Sequence, residues 1–330
     1  MSQVIAREDL SRWLNSLMEE RTVVVPVVVG DMVFFRPVAK AEDMTISRGN
    51  ATLGPKGCLF PLSHTMFTVE QEDGDVRVIP SSLEREMVVF GLRPCDAQGL
   101  AVFDLPMLAE PADQYYRERR EKTALVGLAC AEACAECFCT STGGGPHDAR
   151  YMDVMLSEVP QGYLVQAVTE KGKKLLAKAP LKDMAVQAPT PPDVPRVPTD
   201  GIVAAMRRTF ADKYWSRLAD RCIHCNICSY VCPTCYCFDI RDYQQDGKTH
   251  RVRSWESCQA PGFTKIAGGH DPRADKGSRM RQRFAHKLLY FPEEFNNVLG
   301  CTGCGRCVRY CPVNIDIREI ISDVQKIGGG

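Results

Sequence analysis

The same cysteine spacing occurs twice in this chain, and it constrains the fold more than any other feature of the sequence. The two runs are Cys222-x2-Cys225-x2-Cys228-x3-Cys232-Pro233 and Cys301-x2-Cys304-x2-Cys307-x3-Cys311-Pro312. A structural zinc site normally uses two separated ligand pairs around one tetrahedral ion, so three such closely spaced cysteines disfavour zinc. The N-terminus lacks the basic region, apolar region and cleavage site of a secretory signal, so we expect a reducing cytoplasm rather than disulfides.

Three closely spaced thiolates, followed by a fourth cysteine and a proline, are typical of bacterial ferredoxins. There, three cysteines bind one [4Fe–4S] cube and the fourth binds the other cube. This exchange predicts two adjacent clusters. The ligand sets would be Cys222, Cys225, Cys228 and Cys311 for one cluster, and Cys301, Cys304, Cys307 and Cys232 for the other.

Composition restricts the class of protein. A chain of 330 residues can form two domains, and 45% apolar with 25% charged residues is usual for globular proteins. The most apolar segment, residues 22–35, is interrupted by Pro26 and Asp31, so we expect no direct insertion into a membrane. Lys plus Arg equals Asp plus Glu, at 41 each, so the net charge gives no argument for a nucleic-acid partner.

Six prolines between Ala179 and Thr199 predict an extended connector and a domain boundary. We therefore predict an α+β protein, with an N-terminal α/β domain over 1–190 and a dicluster ferredoxin-type domain over 191–330. The second domain would contain a long insertion over 233–300. After the connector, apolar residues at helical spacing predict one helix over 201–221 that leads directly into Cys222.

Two segments of the N-terminal half resemble each other. Residues 87–95 and 123–130 are both apolar runs of strand length that reach Gly-Leu and then a cysteine. Such runs favour parallel strands buried on both faces, with a crossover helix that begins near Asp96. Neighbouring parallel strands would place Cys95 and Cys130 at one sheet edge, where open α/β sheets bind their ligands.

Three more cysteines follow Cys130 closely, so five thiols are candidates for a third [4Fe–4S] cluster. The favoured ligands are Cys95, Cys130, Cys137 and Cys139, which leaves Cys134 free. The alternative is that these cysteines are buried thiols that pack as small apolar side chains.

Several motifs together resemble the family of the sulfhydrogenase beta subunit, which includes its counterpart in anaerobic sulfite reductase. The segments that carry the resemblance are Arg93-Pro94-Cys95-Asp96-Ala97, Cys137-Phe138-Cys139-Thr140-Ser141, Cys232-Pro233-Thr234-Cys235-Tyr236-Cys237-Phe238, and Trp255-Glu256-Ser257-Cys258-Gln259 running on to Gly268 and Arg279-Met280-Arg281. The resemblance implies an iron–sulfur subunit of an oxidoreductase. Such a subunit relays electrons between a flavin-containing (FAD or FMN) subunit that oxidises NAD(P)H and a catalytic hydrogenase or reductase subunit.

The 68 residues between Cys232 and Cys301 exceed the short connection that a compact dicluster ferredoxin needs. This insertion contains Cys235, Cys237 and Cys258. They could hold a further metal centre if His270 or a water completed it. We instead expect buried thiols, because a cluster ordinarily takes four protein ligands.

No side chain is predicted to act as acid, base or nucleophile, because no HExxH, GxSxG or GxGxxG motif occurs. A non-catalytic electron-transfer subunit is therefore the main prediction. One alternative is a flavin-binding reductase subunit that acts on a sulfur compound such as sulfite, polysulfide or a heterodisulfide, with the crevice at the strand ends as its site. Another is a zinc-stabilised nucleic-acid module, which only the arginine-rich insertion supports.

Overall fold

The computed structural model describes residues 2–46, 49–72 and 74–329. The strands are β1 (Ser2–Ile5), β2 (Thr22–Val29), β3 (Met32–Pro37), β4 (Ser63–Glu72), β5 (Asp75–Pro80), β6 (Met87–Leu92), β7 (Thr123–Leu128), β8 (Val154–Val159), β9 (Gly162–Ala167), β10 (Leu181–Met184), β11 (Phe238–Gln245) and β12 (Lys248–Trp255). The α-helices are α1 (Arg7–Met18), α2 (Lys56–Leu59), α3 (Pro94–Leu108), α4 (Gln114–Glu121), α5 (Glu170–Leu176), α6 (Ile202–Arg208), α7 (Tyr214–Asp220), α8 (Ile227–Tyr230), α9 (Lys276–Ala285), α10 (Phe291–Glu294), α11 (Arg306–Arg309) and α12 (Ile317–Gly328). A turn of π-helix, His286–Tyr290, connects α9 to α10.

An eight-stranded mixed sheet forms the centre of the N-terminal half, in the order β10-β1-β9-β8-β7-β6-β2-β3. The strands β2, β6, β7 and β8 are parallel to their neighbours in this group, and the remaining pairs are antiparallel. The predicted parallel pairing of the two similar segments is confirmed, because Val88 of β6 lies opposite Ala124 of β7. The predicted crossover helix is α3, which begins at Pro94.

The central strands are buried on both faces, which explains their continuous apolar sequence. Phe90 packs on one face with Trp13 of α1, in one apolar core. Val89, its neighbour in β6, belongs to the core of the opposite face together with Phe103 of α3. The sheet therefore has a helix layer on each side, and its strand ends are fixed rigidly where the cysteines begin.

A second, four-stranded antiparallel sheet joins the two halves of the chain, in the order β11-β12-β4-β5. The hairpin β11–β12 comes from the predicted insertion, and its inner strand pairs with β4. The His250 imidazole Nδ1 lies 3.0 Å from the Thr68 hydroxyl across this pairing. The insertion thus packs on the N-terminal half. The domain boundary near residue 190 stays a prediction, because this small sheet combines strands from both sides of it.

The proline-rich connector begins with β10, which pairs with β1, and then runs without regular structure over 185–199. Its end is held at the N-terminal half, because the Val197 amide donates to the Ser141 hydroxyl at 2.8 Å. The helices that follow form a third apolar core around Trp215, Phe284 and Ile320. The C-terminal part therefore has a helical core of its own beneath the two cysteine runs.

The prediction of one helix over 201–221 is wrong, because α6 and α7 are separate. The Thr209 carbonyl accepts hydrogen bonds from the Asp212 amide at 3.0 Å and from the Trp215 indole at 2.9 Å. The Thr209 hydroxyl itself donates to the Ala205 carbonyl at 2.9 Å. The Thr209 carbonyl is thus engaged by a turn bond from Asp212 and by an indole, and the helical ladder ends at this residue.

The predicted α+β fold class is confirmed, with both helices and sheets and with the two cysteine runs in the C-terminal part. In the described part of the chain, no helix has both the length and the apolar character needed to cross a membrane.

Candidate metal centres

The first cysteine run is a tight loop that ends in the one-turn helix α8. His224 and Asn226 both have positive φ, 57° and 62°, which turns the chain sharply twice within five residues. The backbone amide of His224 donates to the Cys222 sulfur at 3.4 Å. Such amide–sulfur hydrogen bonds stabilise a thiolate and tune a bound cluster.

The second run repeats this geometry at the same positions. Gly303 and Gly305 have φ of 60° and 75°, and the one-turn helix α11 follows. The amide of Gly303 donates to the Cys301 sulfur at 3.4 Å, and that of Ile315 donates to the Cys311 sulfur at 3.2 Å. The sequence repeat is therefore also a repeat of backbone conformation.

The first centre, defined as Cys222, Cys225, Cys228 and Cys311, lines one cavity that is partly open to solvent, with about 470 Å³ of unfilled space in which that solvent is included. The fourth cysteine of the second run thus lies with the first three of the first run. Cys307 lines the same cavity and leads to the neighbouring site. The donor set and the cavity fit a [4Fe–4S] cube whose fourth ligand comes from the other run.

The second centre is defined as Cys301, Cys304, Cys307 and Cys232. Burial raises the pKa of Cys301 to about 12 and that of Cys307 to about 11, and the nearby Cys232 charge acts in the same direction on both. The Lys287 ammonium opposes this effect at Cys301 and donates to the Cys232 sulfur at 3.2 Å. Thiols in this state lose their protons when they bind metal, and the buried lysine supplies compensating charge.

The N-terminal cysteine group, defined as Cys95, Cys130, Cys134, Cys137 and Cys139, lies at the predicted sheet edge. Cys95 is in the first turn of α3, and Cys130 follows β7. Burial is the largest cause of the raised pKa of both thiols. The charge of a neighbouring cysteine of this set raises each pKa further. The favoured four cysteines therefore come from two strand ends and one loop that meet at one edge.

Cys134, predicted to be free, lies beside Cys137. A hydrogen bond from the Cys137 thiol, assisted by the Arg309 guanidinium, lowers the pKa of Cys134 to about 5. The Cys137 sulfur also lies 3.7 Å from the Cys304 carbonyl oxygen. Five thiols thus share this edge, and the choice of four ligands among them stays a prediction.

A tight joint connects the N-terminal cysteine group to the second centre. The Phe138 amide donates to the Gly303 carbonyl at 2.8 Å. Arg306 and Asp96 form an ion pair of 2.7 Å, and both side chains are almost fully buried, at 0% and 1% exposure. Charge from Cys304 and Cys95 adds to that of Asp96 in raising the pKa of Arg306, against the opposing effect of burial.

The insertion thiols, defined as Cys235, Cys237 and Cys258, line another cavity with about 340 Å³ of unfilled space. Arg283 and Lys287 belong to its wall. The residue considered as a fourth ligand from sequence, His270, is exposed and is not among the residues that line this cavity. The imidazole that lines it is His286, in the π-helical turn.

Buried cations are the functional residues that the sequence motifs do not reveal. Lys56, Arg283 and Lys287 are all buried, and the negative charges that face them come from cysteines. Lys56 reaches the carbonyl oxygens of Cys232 and Cys235, at 3.0 and 2.8 Å. No spacing rule connects these cations to cysteines so far away in sequence.

Within the described ranges, no group of three or more His, Cys, Asp and Glu side chains has the arrangement of a single-ion site. A [4Fe–4S] cube differs from such a site, because its four ligands bind four different iron atoms.

A family model described as a 4Fe-4S dicluster domain matches residues 221–315. Sulfhydrogenase 2 subunit beta of Pyrococcus furiosus is 27% identical over 332 residues, which cover 97% of this chain and 97% of that protein. No solved structure matches the chain. The resemblance noted from the motifs is confirmed: the chain is a homologue of a sulfhydrogenase beta subunit, with a 4Fe–4S dicluster domain in its C-terminal part.

Proposed function

We propose that this chain is an iron–sulfur electron-transfer subunit of a sulfhydrogenase-type complex. It relays electrons between a flavin-containing subunit that oxidises NAD(P)H and a catalytic hydrogenase or reductase subunit. The observation that carries the proposal is the continuous row of thiols. Cys137 of the N-terminal cysteine group lies against Cys304, and Cys307 borders both the second centre and the first.

The row gives three [4Fe–4S] clusters in the order N-terminal group, second centre, first centre. Each cluster, when bound, takes up and releases one electron without a proton acceptor among the side chains. The chain's own contribution is to fix the thiolates at rigid strand ends and tight loops and to offset their charge with buried Lys and Arg side chains. This accords with a non-catalytic role.

Both ends of the row reach the protein surface, whereas its middle is buried. At the first centre, Cys225 is exposed and its neighbour Ile223 is 62% exposed. At the other end, Ala131 and Ala135 of the N-terminal cysteine loop are exposed. Cys304 in the middle is buried. Donor and acceptor subunits would therefore contact opposite ends of the row.

The compartment is part of the same proposal. None of the 17 cysteines forms a disulfide, and cysteines without disulfides in such numbers persist where the environment is reducing. A cytoplasmic complex supplies that environment. The relative from Pyrococcus furiosus is named as a subunit of a sulfhydrogenase, which supports a complex of this kind as the setting.

The test is anaerobic purification of the tagged chain, first alone and then with its native partners. Alone, the chain should accept electrons from a low-potential dye and should not oxidise NADH or NADPH. With the flavin subunit present, nicotinamide should reduce the clusters. Nicotinamide oxidation by the pure chain, with flavin released by acid, would contradict the relay and support a flavin-binding reductase.

A further inference from the structure

The cavity of the insertion thiols resembles the cavity of the first centre. Both are pockets lined by at least three cysteines, with about 340 and 470 Å³ of unfilled space that includes open solvent. The cysteines of the first centre belong to a cluster-binding motif, so their cavity is the reference for such a site in this molecule. The cavity of the insertion thiols is also lined by cysteines, although these belong to neither of the two cysteine runs.

Distant parts of the chain converge to build this cavity. Cys235 and Cys237 follow the end of the first run, whereas Cys258 follows β12. The two segments are joined by the Glu256 amide, which donates to the Cys237 carbonyl at 2.9 Å. The Cys258 thiol also donates to the Cys237 sulfur. The long insertion therefore returns a third thiol to the first two.

Two buried cations in the wall of this cavity make it favourable for an anion. Lys287 and Arg283 are buried in its wall, and Lys56 lies nearby at the Cys235 carbonyl oxygen; in the described ranges none of the three forms an ion pair with a carboxylate. Lys287 donates to the Cys232 sulfur, the Thr234 hydroxyl and the Gly300 carbonyl, at 3.2, 2.9 and 3.1 Å. Lys287 already faces Cys232 of the second centre, and Arg283 faces Cys228 and Cys307 of the two centres, so both cations lie between those thiols and this cavity. A thiolate-bound iron–sulfur cube is anionic, and these cations would offset its charge too.

We propose that Cys235, Cys237 and Cys258 bind a fourth [4Fe–4S] cluster, with one iron not ligated by cysteine. His286 is the imidazole in the cavity wall, and its Nε2 lies 2.7 Å from the Tyr236 hydroxyl. That contact leaves Nδ1 as the imidazole atom for the remaining iron. This assignment is independent of the N-terminal cysteine group.

The position of this centre makes it a side branch of the row rather than an extension. Cys235 is three residues from Cys232, a ligand of the second centre, and Lys287 contacts the Cys232 sulfur while lining the cavity. Electrons that reach the buried middle of the row would then have two onward routes. A branch of this kind suits a subunit that serves more than one acceptor or that stores a second electron.

The test is the iron and acid-labile sulfide content of the full-length chain after anaerobic reconstitution. The wild type should hold about 16 irons per chain, and the triple variant Cys235→Ser, Cys237→Ser, Cys258→Ser about 12, at four per cube. The control is Cys58→Ala, a half-buried thiol outside all these groups, which should leave the content unchanged. The quadruple serine variant of Cys95, Cys130, Cys137 and Cys139 should lose four irons independently.

Two outcomes would overturn the fourth cluster: unchanged iron in a folded triple variant, or one zinc lost in place of four irons. Loss of four irons in the triple variant, with none in the quadruple variant, would support it and count against the N-terminal cluster. If the triple variant does not fold, alkylation of the native wild type decides the question. Protection of all three thiols that ends when iron is chelated supports the cluster, and ready labelling before chelation overturns it.

Discussion

The two cysteine runs share their ligand spacing and their backbone dihedrals, but they differ at every position that turns the chain. The positive-φ residues are His224 and Asn226 in the first run and Gly303 and Gly305 in the second. Asn tolerates a left-handed conformation, and glycine adopts it without steric cost, so both pairs allow the same loop. The loop geometry alone does not explain the choice of glycine.

The surroundings of the two runs explain it. A Cβ at Gly303 would lie 2.5 Å from the Phe138 carbonyl carbon, and one at Gly305 would lie 2.7 Å from that of Glu136. The corresponding part of the first run lies at the protein surface, where Ile223 is 62% exposed. The cysteine positions therefore determine which cluster can bind. The residues between the cysteines determine whether the rest of the protein packs against the loop or leaves it at the surface.

The largest expected effect concerns the exchange of ligands between the runs. Cys232→Ala should abolish or perturb the same paramagnetic signal as Cys301→Ala, although residue 232 belongs to the first run, because Cys232 lies with the second centre. Cys311→Ala should match Cys222→Ala for the same reason. Electron paramagnetic resonance of the reduced variants measures this. Pairing of Cys232→Ala with Cys222→Ala would contradict the exchange.

Local sequence patterns predicted both cysteine loops and part of the large sheet. The repeated spacing predicted the two ligand loops, and continuous apolar runs predicted the parallel pair β6–β7 that places Cys95 and Cys130 at one edge. These signals depend on neighbours within a few residues, so one sequence contains them. The helix break at Thr209 was not visible, because it depends on the tertiary position of the Trp215 indole.

Long-range partners could not be predicted from spacing. The pairing of β12 with β4 joins residues 191 positions apart, since Ser254 lies opposite Ser63. Lys287, which approaches Cys232, lies in a π-helical turn, and such a turn has no clear signature in the sequence. The joint of Arg306 with Asp96 likewise connects the two halves, through a buried ion pair between residues far apart in sequence.

The second prediction concerns the residue directly after the second positive-φ residue of each run. This residue is Ile227 in the first run and Arg306 in the second. Arg306→Met should lower the free energy of unfolding by about 3–5 kcal/mol, because it leaves the buried Asp96 carboxylate without its partner. Ile227→Met, the matched control, should cost less than about 1.5 kcal/mol, because the side chain is partly exposed and similar in volume. Chemical denaturation of the holoprotein compares them, and equal losses would refute the contrast.

The third prediction exchanges the turn residues. Gly305→Asn should lower the free energy of unfolding by about 1–3 kcal/mol, because its Cβ overlaps the backbone of Glu136 and pushes the N-terminal cysteine loop away. Asn226→Gly at the matching position should cost no more than about 1 kcal/mol, since it adds only flexibility. Thermal unfolding gives the stability. Cluster-to-cluster reduction rates should fall for Gly305→Asn only, and a fall for both would show that the joint is not the cause.

The smallest expected effect lies at the exposed end of the row. Ile223 is 62% exposed, whereas Thr302, at the same motif position of the second run, is buried. Ile223→Thr copies the second-run residue and should change the free energy of unfolding by no more than about 0.5 kcal/mol, as is usual for surface positions. Iron content and cluster potentials should also stay unchanged.

Electron transfer with a partner subunit should nevertheless slow, because the variant removes an apolar contact beside Cys225. Val76→Thr, on an equally exposed strand residue of the small sheet, is the control and should leave that rate unchanged. Stopped-flow reduction by the native partner measures both variants, and equal rates would place the partner elsewhere on the molecule.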